Sequence, residues 1–140
     1  MSVGRICTRT IYTATSQEAA RAGAVRMADK GVGSLVVVDE DGRPIGMVTD
    51  RDVAVRLVAK GLDADETPIG GIMSIPVHSV EEETPIESAL GAMAGAGVRR
   101  SVVLDAEGKL VGILALDDVL ELLVEETKAV GALIRSQAEQ

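Results

Sequence analysis

The sequence predicts an α+β fold in which two β-α-β-β-α repeats pack through their sheets about a pseudo-twofold axis. When the 140-residue chain is shifted against itself by 66 positions, residues 27–58 align with residues 93–124, and 13 of the 32 aligned pairs are identical. Chance matching at this composition would give roughly three. Short β-branched runs and longer helical segments recur in both copies. A half of about 60 residues buries little apolar surface alone, so we expect the halves to share a core.

Each repeat is predicted to open with a short strand and a helix. In the first repeat the strand covers residues 10–13, and Thr15 or Ser16 supplies the side-chain oxygen that caps a helix ending at Lys30. The second repeat has a strand at 76–80 and a helix from Thr84 to Ala96. Because residues 15–18 resemble residues 84–87 at a shift of 69 rather than 66, the first helix is predicted to be one turn longer.

A hairpin and a second helix complete each repeat. Residues 35–38 are too few for a helix and apolar on both faces, which is typical of a buried strand. Asp39 and Gly42 supply turn chemistry before a strand at 45–49, and a helix follows over 52–60. The second repeat has strands at 101–104 and 110–115 and a helix at 118–136. Residues 61–75 connect the halves, and we divide the chain into repeats at 1–64 and 65–140.

Composition and charge exclude several classes of function. The chain has 14 basic and 22 acidic residues, and its net charge of −8 disfavours nucleic acid and anionic membrane surfaces as partners. No apolar run approaches the roughly 18 residues that span a bilayer, so we expect no membrane insertion. Cys7 is the only cysteine, and no secretory leader follows Met1. These features favour a cytoplasmic location over an oxidising compartment.

Two side chains at the predicted strand-to-helix junction of the first repeat are candidates for ligand binding. The carboxylate of Asp52 is an acceptor that suits vicinal ribose hydroxyls, and the hydroxyl of Thr49 can donate to a phosphate or ring oxygen. Free N–H groups at the helix start also favour an anion. The same Thr49-x-x-Asp52 spacing is a capping box, which stabilises a helix start without any ligand. The residues alone leave both interpretations open.

Catalysis is not predicted. Asp50 with Asp52, and Asp117 with Asp118, are neighbouring carboxylates, but no nucleophile with a base, metal-ligand cluster or Gly-Lys phosphate loop accompanies them. We therefore expect a protein that is not an enzyme and requires no metal or cofactor. Residues 39–42 are explained better by a hairpin turn than by a calcium loop.

Motifs in both repeats resemble those of the CBS (cystathionine β-synthase) family. In the first repeat the match rests on residues 37–52, which read Val-Val-Asp-Glu-Asp-Gly-Arg-Pro-Ile-Gly-Met-Val-Thr-Asp-Arg-Asp. In the second repeat it rests on residues 97–105, Gly108, residues 111–114, Asp117 and Asp118. Residues 72–77 also resemble the start of the family's second repeat. The resemblance implies a tandem CBS pair, or Bateman module, which binds adenine nucleotides or related adenosyl compounds between its halves and dimerises into a flat disc.

The resemblance also implies which residues hold the ligand. In the family a glycine, two apolar residues, a hydroxyl, two variable residues and an aspartate hold the ribose. The first repeat matches this pattern with Gly46, Thr49 and Asp52, and the variable residues are Asp50 and Arg51. The second repeat keeps Gly112 and Asp118 but has Ala115 in the position of the hydroxyl. The adenine is expected against four further residues: Ile11, Tyr12, Pro76 and Val77.

Arg99 and Arg100 are the only paired arginines. The resemblance implies that they reach the phosphate of a nucleotide whose ribose is held by the other repeat, and the planar fork of arginine suits a phosphate. The alternative is a solvated pair that neutralises nearby carboxylates. Gly33 and Ser34 occupy the equivalent positions of the first repeat, so we expect one competent site. His78 is more simply explained as a packing or surface residue.

We predict a sensor for AMP, ADP or ATP that signals in trans through an unidentified effector protein. The alternatives are a structural or dimerisation module without a ligand, and a binder of S-adenosylmethionine or NAD. The last helix continues beyond the repeat with Val130, Leu133 and Ile134 at helical spacing. Since the first repeat has no such extension, we expect a homodimer contact there.

Overall fold

The computed structural model describes residues 1–139 and contains both predicted repeats. The first repeat consists of β1 (Thr13–Thr15), α1 (Ala20–Lys30), β2 (Ser34–Val38), β3 (Pro44–Thr49) and α2 (Asp50–Asp52), which continues in π-helical geometry over Val53–Val58. The second consists of β4 (Ser79–Glu81), α3 (Ile86–Ala96), β5 (Arg100–Leu104), β6 (Leu110–Ala115) and α4 (Leu116–Ala138). The predicted α+β fold with its β-α-β-β-α order is confirmed.

Each half contains one three-stranded sheet with its hairpin at one edge. The strand orders are β1-β2-β3 and β4-β5-β6, with a parallel first pair and an antiparallel second pair. Thr13 lies opposite Val36 in the first sheet, as Ser79 lies opposite Val102 in the second. In both hairpins the pairing register shifts between the fourth and fifth residues of the first strand. These residues are Val37 and Val38 in β2, and Val103 and Leu104 in β5. The two sheets are therefore built to one plan.

The predicted slip in register before the first helix is wrong. The helices α1 and α3 each have 11 residues, and β1 and α1 precede β4 and α3 by the same 66 positions. Neither helix has a side-chain cap, since Ala19 and Pro85 occupy the N-cap positions. The backbone N–H of Thr15 donates instead to the carboxylate of Glu18 at 2.8 Å. This bond closes the turn that precedes α1.

The core of each half lies between its sheet and its helices. Leu35 and Val37 are fully buried in the first half's apolar cluster, and Val103 and Leu114 belong to the second half's cluster. Val36 is also fully buried, although strand alternation places its side chain on the opposite face of the sheet. Val102, its counterpart in β5, is also fully buried, and neither residue belongs to the apolar cluster of its own half. None of the described helices has the length and apolarity needed to cross a membrane.

The halves exchange the segments that precede them in sequence. Val3 is fully buried in the core of the second half, where Thr8 pairs with Ile113. Conversely, Ile69 is fully buried in the core of the first half, where Ser74 pairs with Met47. The boundary between residues 64 and 65 thus divides the chain into two sequence repeats but does not separate two packed units. In space, each half is completed by the segment that leads into the other.

Candidate functional site

A cavity of about 460 Å³ opens between the two halves, where β3 ends and α2 begins. This volume lies in the range of pockets that hold small ligands. The first half contributes Met47, Thr49, Arg51, Asp52, Val55 and Arg56 to the wall, and the second contributes Ser74, Pro76, Val77, His78, Gly97, Val98, Arg99 and Arg100. The cavity therefore exists only because the halves pack together.

Thr49 and Asp52 form a capping box at the start of α2. The N–H of Asp52 donates to Thr49 Oγ1 at 3.1 Å, and the N–H of Thr49 donates to Asp52 Oδ2 at 2.9 Å. The capping interpretation is thus confirmed, and it does not displace the other one. Both residues line the cavity, and the Thr49 hydroxyl, which accepts in the box, keeps its own proton to donate. The box holds the two polar groups in place at the wall.

Two residues that sequence reasoning missed complete the surroundings of Asp52, whose exposure is only 7%. Ser74 Oγ lies 3.3 Å from Asp52 Oδ1 and donates to the carboxylate. Arg56 Nε lies 3.6 Å from the same oxygen, while its Nη1 donates to the carbonyl of Met73. The repeat contained a signal for Ser74, because Thr8 precedes it by 66 positions. Thr8 Oγ1 donates to Asp118 Oδ1 at 3.2 Å in the second half.

Three arginines bring positive charge to the cavity, two from the second half and one from the first. Arg100 is the first residue of β5, Arg99 directly precedes it, and Arg51 lies on α2. Within residues 1–139, none of the three forms an ion pair with a carboxylate within 4.0 Å. Their guanidinium groups are left available to an anion.

The remaining candidates divide between this cavity and other places. Pro76 and Val77 line it as expected, and so does His78, whose Nδ1 lies 2.8 Å from the hydroxyl of Ser101. Asp50 does not line it. Its carboxylate accepts from the N–H of Arg51 at 2.9 Å.

Ile11, Tyr12 and Asp118 also lie away from the cavity. Ile11 lines a different depression beside the hairpin turns of both halves. Tyr12 packs against the core of the first half, and Lys30 Nζ lies 5.5 Å from its ring centroid. Asp118 accepts from the N–H of Ala115 at 2.9 Å in the second half. The pseudo-twofold axis explains this separation, because Ile11 and Tyr12 are the counterparts of Val77 and His78.

Comparison with known proteins agrees with this architecture of paired repeats around a shared cleft. The profile of the CBS domain matches residues 3–59 and 69–125. The chain therefore belongs to the CBS domain family, and its two repeats form a tandem CBS pair. The predicted family is confirmed.

Relatives and solved structures extend over most of the chain. The uncharacterized protein MK0525 of Methanopyrus kandleri is 38% identical over 122 residues, which cover 87% of this chain and 62% of that protein. A candidate signal-transduction protein with CBS domains from Burkholderia ambifaria has a TM-score of 0.80 and 31% identity, over 89% of this chain and 95% of its own. The CBS domain protein PAE2072 from Pyrobaculum aerophilum, solved in complex with AMP, has a TM-score of 0.76 and 28% identity, over 89% and 99%.

Proposed function

We propose that this CBS pair is a regulatory module that binds an adenine nucleotide in the cavity between its halves. One observation carries the proposal: Thr49 and Asp52 from one half and Arg99 and Arg100 from the other line the same cavity. A nucleotide presents vicinal hydroxyls at its ribose and negative charge at its phosphate. These two ends match the acceptor carboxylate and the guanidinium groups. The complex of PAE2072 with AMP supports the ligand class.

The cavity wall offers a place for each part of such a ligand. Asp52 would accept from the ribose hydroxyls, Thr49 would donate to a ribose or phosphate oxygen, and Arg99 and Arg100 would bind the phosphate. The adenine would lie against the apolar part of the wall, which consists of Met47, Val55, Pro76, Val77 and Val98. A nucleotide held in this way contacts both halves at once.

Regulation follows from this bridging position. A ligand that touches both halves favours the arrangement of the halves in which all its contacts are made, and it shifts the population towards that arrangement.

Within residues 1–139, no group of three or more His, Cys, Asp or Glu side chains could hold a metal ion. We propose that an effector protein recognises the arrangement of the halves that the ligand favours. We also propose a cytoplasmic location, because Cys7 is a free cysteine that needs no oxidising environment.

Thermal unfolding with ligand tests the proposal. A ligand at 100 times its dissociation constant stabilises the native state by about 2.7 kcal/mol. We expect AMP or ATP to raise the melting temperature and Asp52→Asn to abolish the shift. Asp118→Asn is the matched control, because Asp118 accepts the same backbone bond at a helix start but does not line the cavity. It should lower the melting temperature without ligand and keep the nucleotide-induced shift.

The same panel separates the alternatives. S-adenosylmethionine has no phosphate for the arginines, and NAD has a second nucleoside beyond its diphosphate, so a shift with either one alone would replace the proposed ligand. No shift with any adenosyl compound would leave a structural module. Equal losses of the nucleotide shift in Asp52→Asn and Asp118→Asn would show that the aspartate acts only as a helix cap.

We also propose a homodimer through α4. Six apolar side chains of this helix are between 50% and 63% exposed: Leu120, Leu123, Val124, Val130, Leu133 and Ile134. Spacings of four and three alternate along one line of the helix, which is occupied by Leu116, Leu120, Leu123, Thr127, Val130 and Ile134. This spacing is typical of a seam between two helices. A second copy of α4 would cover it.

Charge favours an antiparallel arrangement of the two helices. The first half of α4 carries only acidic charges: Asp117, Asp118, Glu121, Glu125 and Glu126. Its second half carries Lys128 and Arg135. An antiparallel pair centred on Thr127 places Glu126 beside the partner's Lys128, whereas a parallel pair would align the acidic halves. Complementary flanking charges of this kind set the orientation of helix pairs.

Charge reversal on each half of α4 tests the dimer. Light scattering should give wild-type protein a mass of twice the 14.5 kDa of one chain. Lys128→Glu with Arg135→Glu, and separately Glu125→Lys with Glu126→Lys, should each give monomers, and an equimolar mixture of the two should give dimers. Arg43→Glu on a hairpin turn is the control and should leave the mass unchanged. A monomeric wild type, or a mixture that stays monomeric, would contradict the arrangement.

A further inference from the structure

A second, smaller cavity adjoins the proposed nucleotide site. Its volume is about 220 Å³, and its wall consists of Arg51, Arg99, Arg100, Ala115, Leu116 and Asp117. The three arginines line the larger cavity as well. They therefore belong to the walls of both cavities, and a ligand that extends from one cavity into the other would lie beside all three residues.

We propose that this pair of cavities takes a nucleoside polyphosphate, with its distal phosphates in the smaller cavity. The inference rests on the proposed function and adds the number of phosphates. In this proposal Arg51 determines specificity for the length of the phosphate chain, and it can also contact the first phosphate because it lines both cavities.

The number of converging cations supports a polyphosphate. A single phosphate group carries a charge between −1.5 and −2 near neutral pH, and Arg99 and Arg100 suffice to balance it. Arg51 is then a third positive charge beside them. Among residues 1–139, Arg5, Arg43 and Arg135 likewise have no carboxylate within 4.0 Å, but they line neither cavity, whereas Arg51, Arg99 and Arg100 line both. Like charges placed together repel, and further phosphates would relieve that repulsion.

The wall of the smaller cavity also suits a phosphate chain. Ala115 lies where the first repeat has the hydroxyl of Thr49, so it contributes only a methyl group to the wall. The residue that weakens the second repeat as a ribose site thus leaves space beside the arginines. Leu116 and Asp117 complete the wall at the start of α4. The volume of the smaller cavity is less than half that of the larger cavity, which suits phosphate groups better than a second nucleoside.

Asp117 supplies a test of opposite sign. It is the counterpart of Arg51 in the second repeat, and it lines the smaller cavity but not the larger one. Its carboxylate would repel the distal phosphates and leave the first phosphate less affected. Removing this charge should therefore tighten binding of a long phosphate chain, whereas removing the charge of Arg51 should loosen it.

Titration calorimetry with AMP, ADP and ATP, in buffer containing EDTA to exclude divalent cations, tests the inference. One additional charge-assisted hydrogen bond corresponds to about a tenfold gain in affinity, so ATP should bind wild-type protein at least about tenfold more tightly than AMP. Arg51→Gln should lower the ratio of ATP affinity to AMP affinity about tenfold. Asp117→Asn should raise that ratio. Arg43→Gln, which removes a remote surface charge, is the control and should leave it unchanged.

The outcomes distinguish this inference from the proposed function. If AMP binds and ATP binds no more tightly, or if Arg51→Gln and Asp117→Asn leave the ratio at its wild-type value, the distal phosphate site is refuted and the nucleotide site stands. If none of the three nucleotides binds wild-type protein, the proposed function fails and this inference fails with it.

Discussion

The two repeats follow one backbone plan but differ where a ligand would bind. Thr49 in the first repeat corresponds to Ala115 in the second, yet the backbone N–H of each donates to an aspartate three residues later at 2.9 Å. The aspartate is therefore a helix cap in both halves and is no sign of a ligand on its own. What distinguishes the first cleft is the added hydroxyl together with two arginines from the opposite half.

A glycine shows why the arginines are confined to one cleft. The carbonyls of Gly33 and Arg99 accept equivalent backbone bonds, from Asp50 at 2.9 Å and from Leu116 at 3.0 Å. A side chain at Gly33 would place its Cβ only 3.0 Å from Asp50 Oδ2. Leu116 occupies the position of Asp50 in the second half, where a long side chain at residue 99 is accommodated. The two clefts thus differ through a pair of linked substitutions.

The largest predicted effect tests the exchange of leading segments. Ile69 is fully buried in the core of the first half, although it belongs to the segment that leads into the second. Ile69→Ala should lower the free energy of unfolding by about 2–5 kcal/mol in urea titrations, because it removes buried apolar volume. Val3→Ala, at the counterpart position, should cost less because valine loses less volume. Ile75→Ala, at a side chain that is 66% exposed, is the control.

The next effect tests whether the repeats respond alike at their shared helix ends. Gly31 and Gly97 end α1 and α3 with φ angles of 65° and 68°. Replacing either with alanine should cost about 1–2 kcal/mol, since a side chain disfavours the left-handed conformation. Chemical denaturation should give similar losses for the two variants. A loss confined to one variant would show that the two helix ends contribute unequally to the free energy of unfolding.

A smaller effect separates capping from binding at the N-cap positions. Thr49→Ala should destabilise the protein by about 1 kcal/mol and weaken nucleotide binding. Ala115→Thr should stabilise it by a similar amount, because it supplies the missing capping oxygen. It should not create a second nucleotide site, since the arginines are absent from the facing half. Calorimetric stoichiometry measures the outcome, and two sites per chain in Ala115→Thr would overturn the linked difference between the clefts.

The smallest effect concerns an ion pair that only the first half has. Arg26 Nη2 donates to Glu18 Oε1, and this hydrogen bond holds the pKa of the Glu18 carboxyl below its usual value. A lowered native-state pKa gives stability that is full above the unfolded value of about 4.3 and is lost as pH falls through the native value. Glu18→Gln should remove that pH dependence from denaturation curves. An unchanged acid limb would show that the pair contributes nothing.

Sequence reasoning predicted the repeat, the order of elements and the two sides of the cavity. It placed Thr49 and Asp52 at a strand-to-helix junction, and the capping box there is local chemistry that a spacing of three encodes. It missed Ser74, which reaches Asp52 only because a backbone pairing with Met47 brings its segment across. It grouped Ile11 and Tyr12 with Pro76 and Val77 as residues around one adenine. In the structure only Pro76 and Val77 line the cavity, because the pseudo-twofold axis places Ile11 and Tyr12 elsewhere.

The amino-acid sequence by itself determined the family, the 66-residue repeat and the capping box of Thr49 and Asp52, because motifs, internal similarity and a spacing of three residues can all be seen in the order of the chain. Only the tertiary structure decided which half receives each leading segment, which residues meet across the cleft and where the three arginines converge. Those relations depend on how two nearly equivalent halves pack, and packing joins residues far apart in the chain that no local pattern relates.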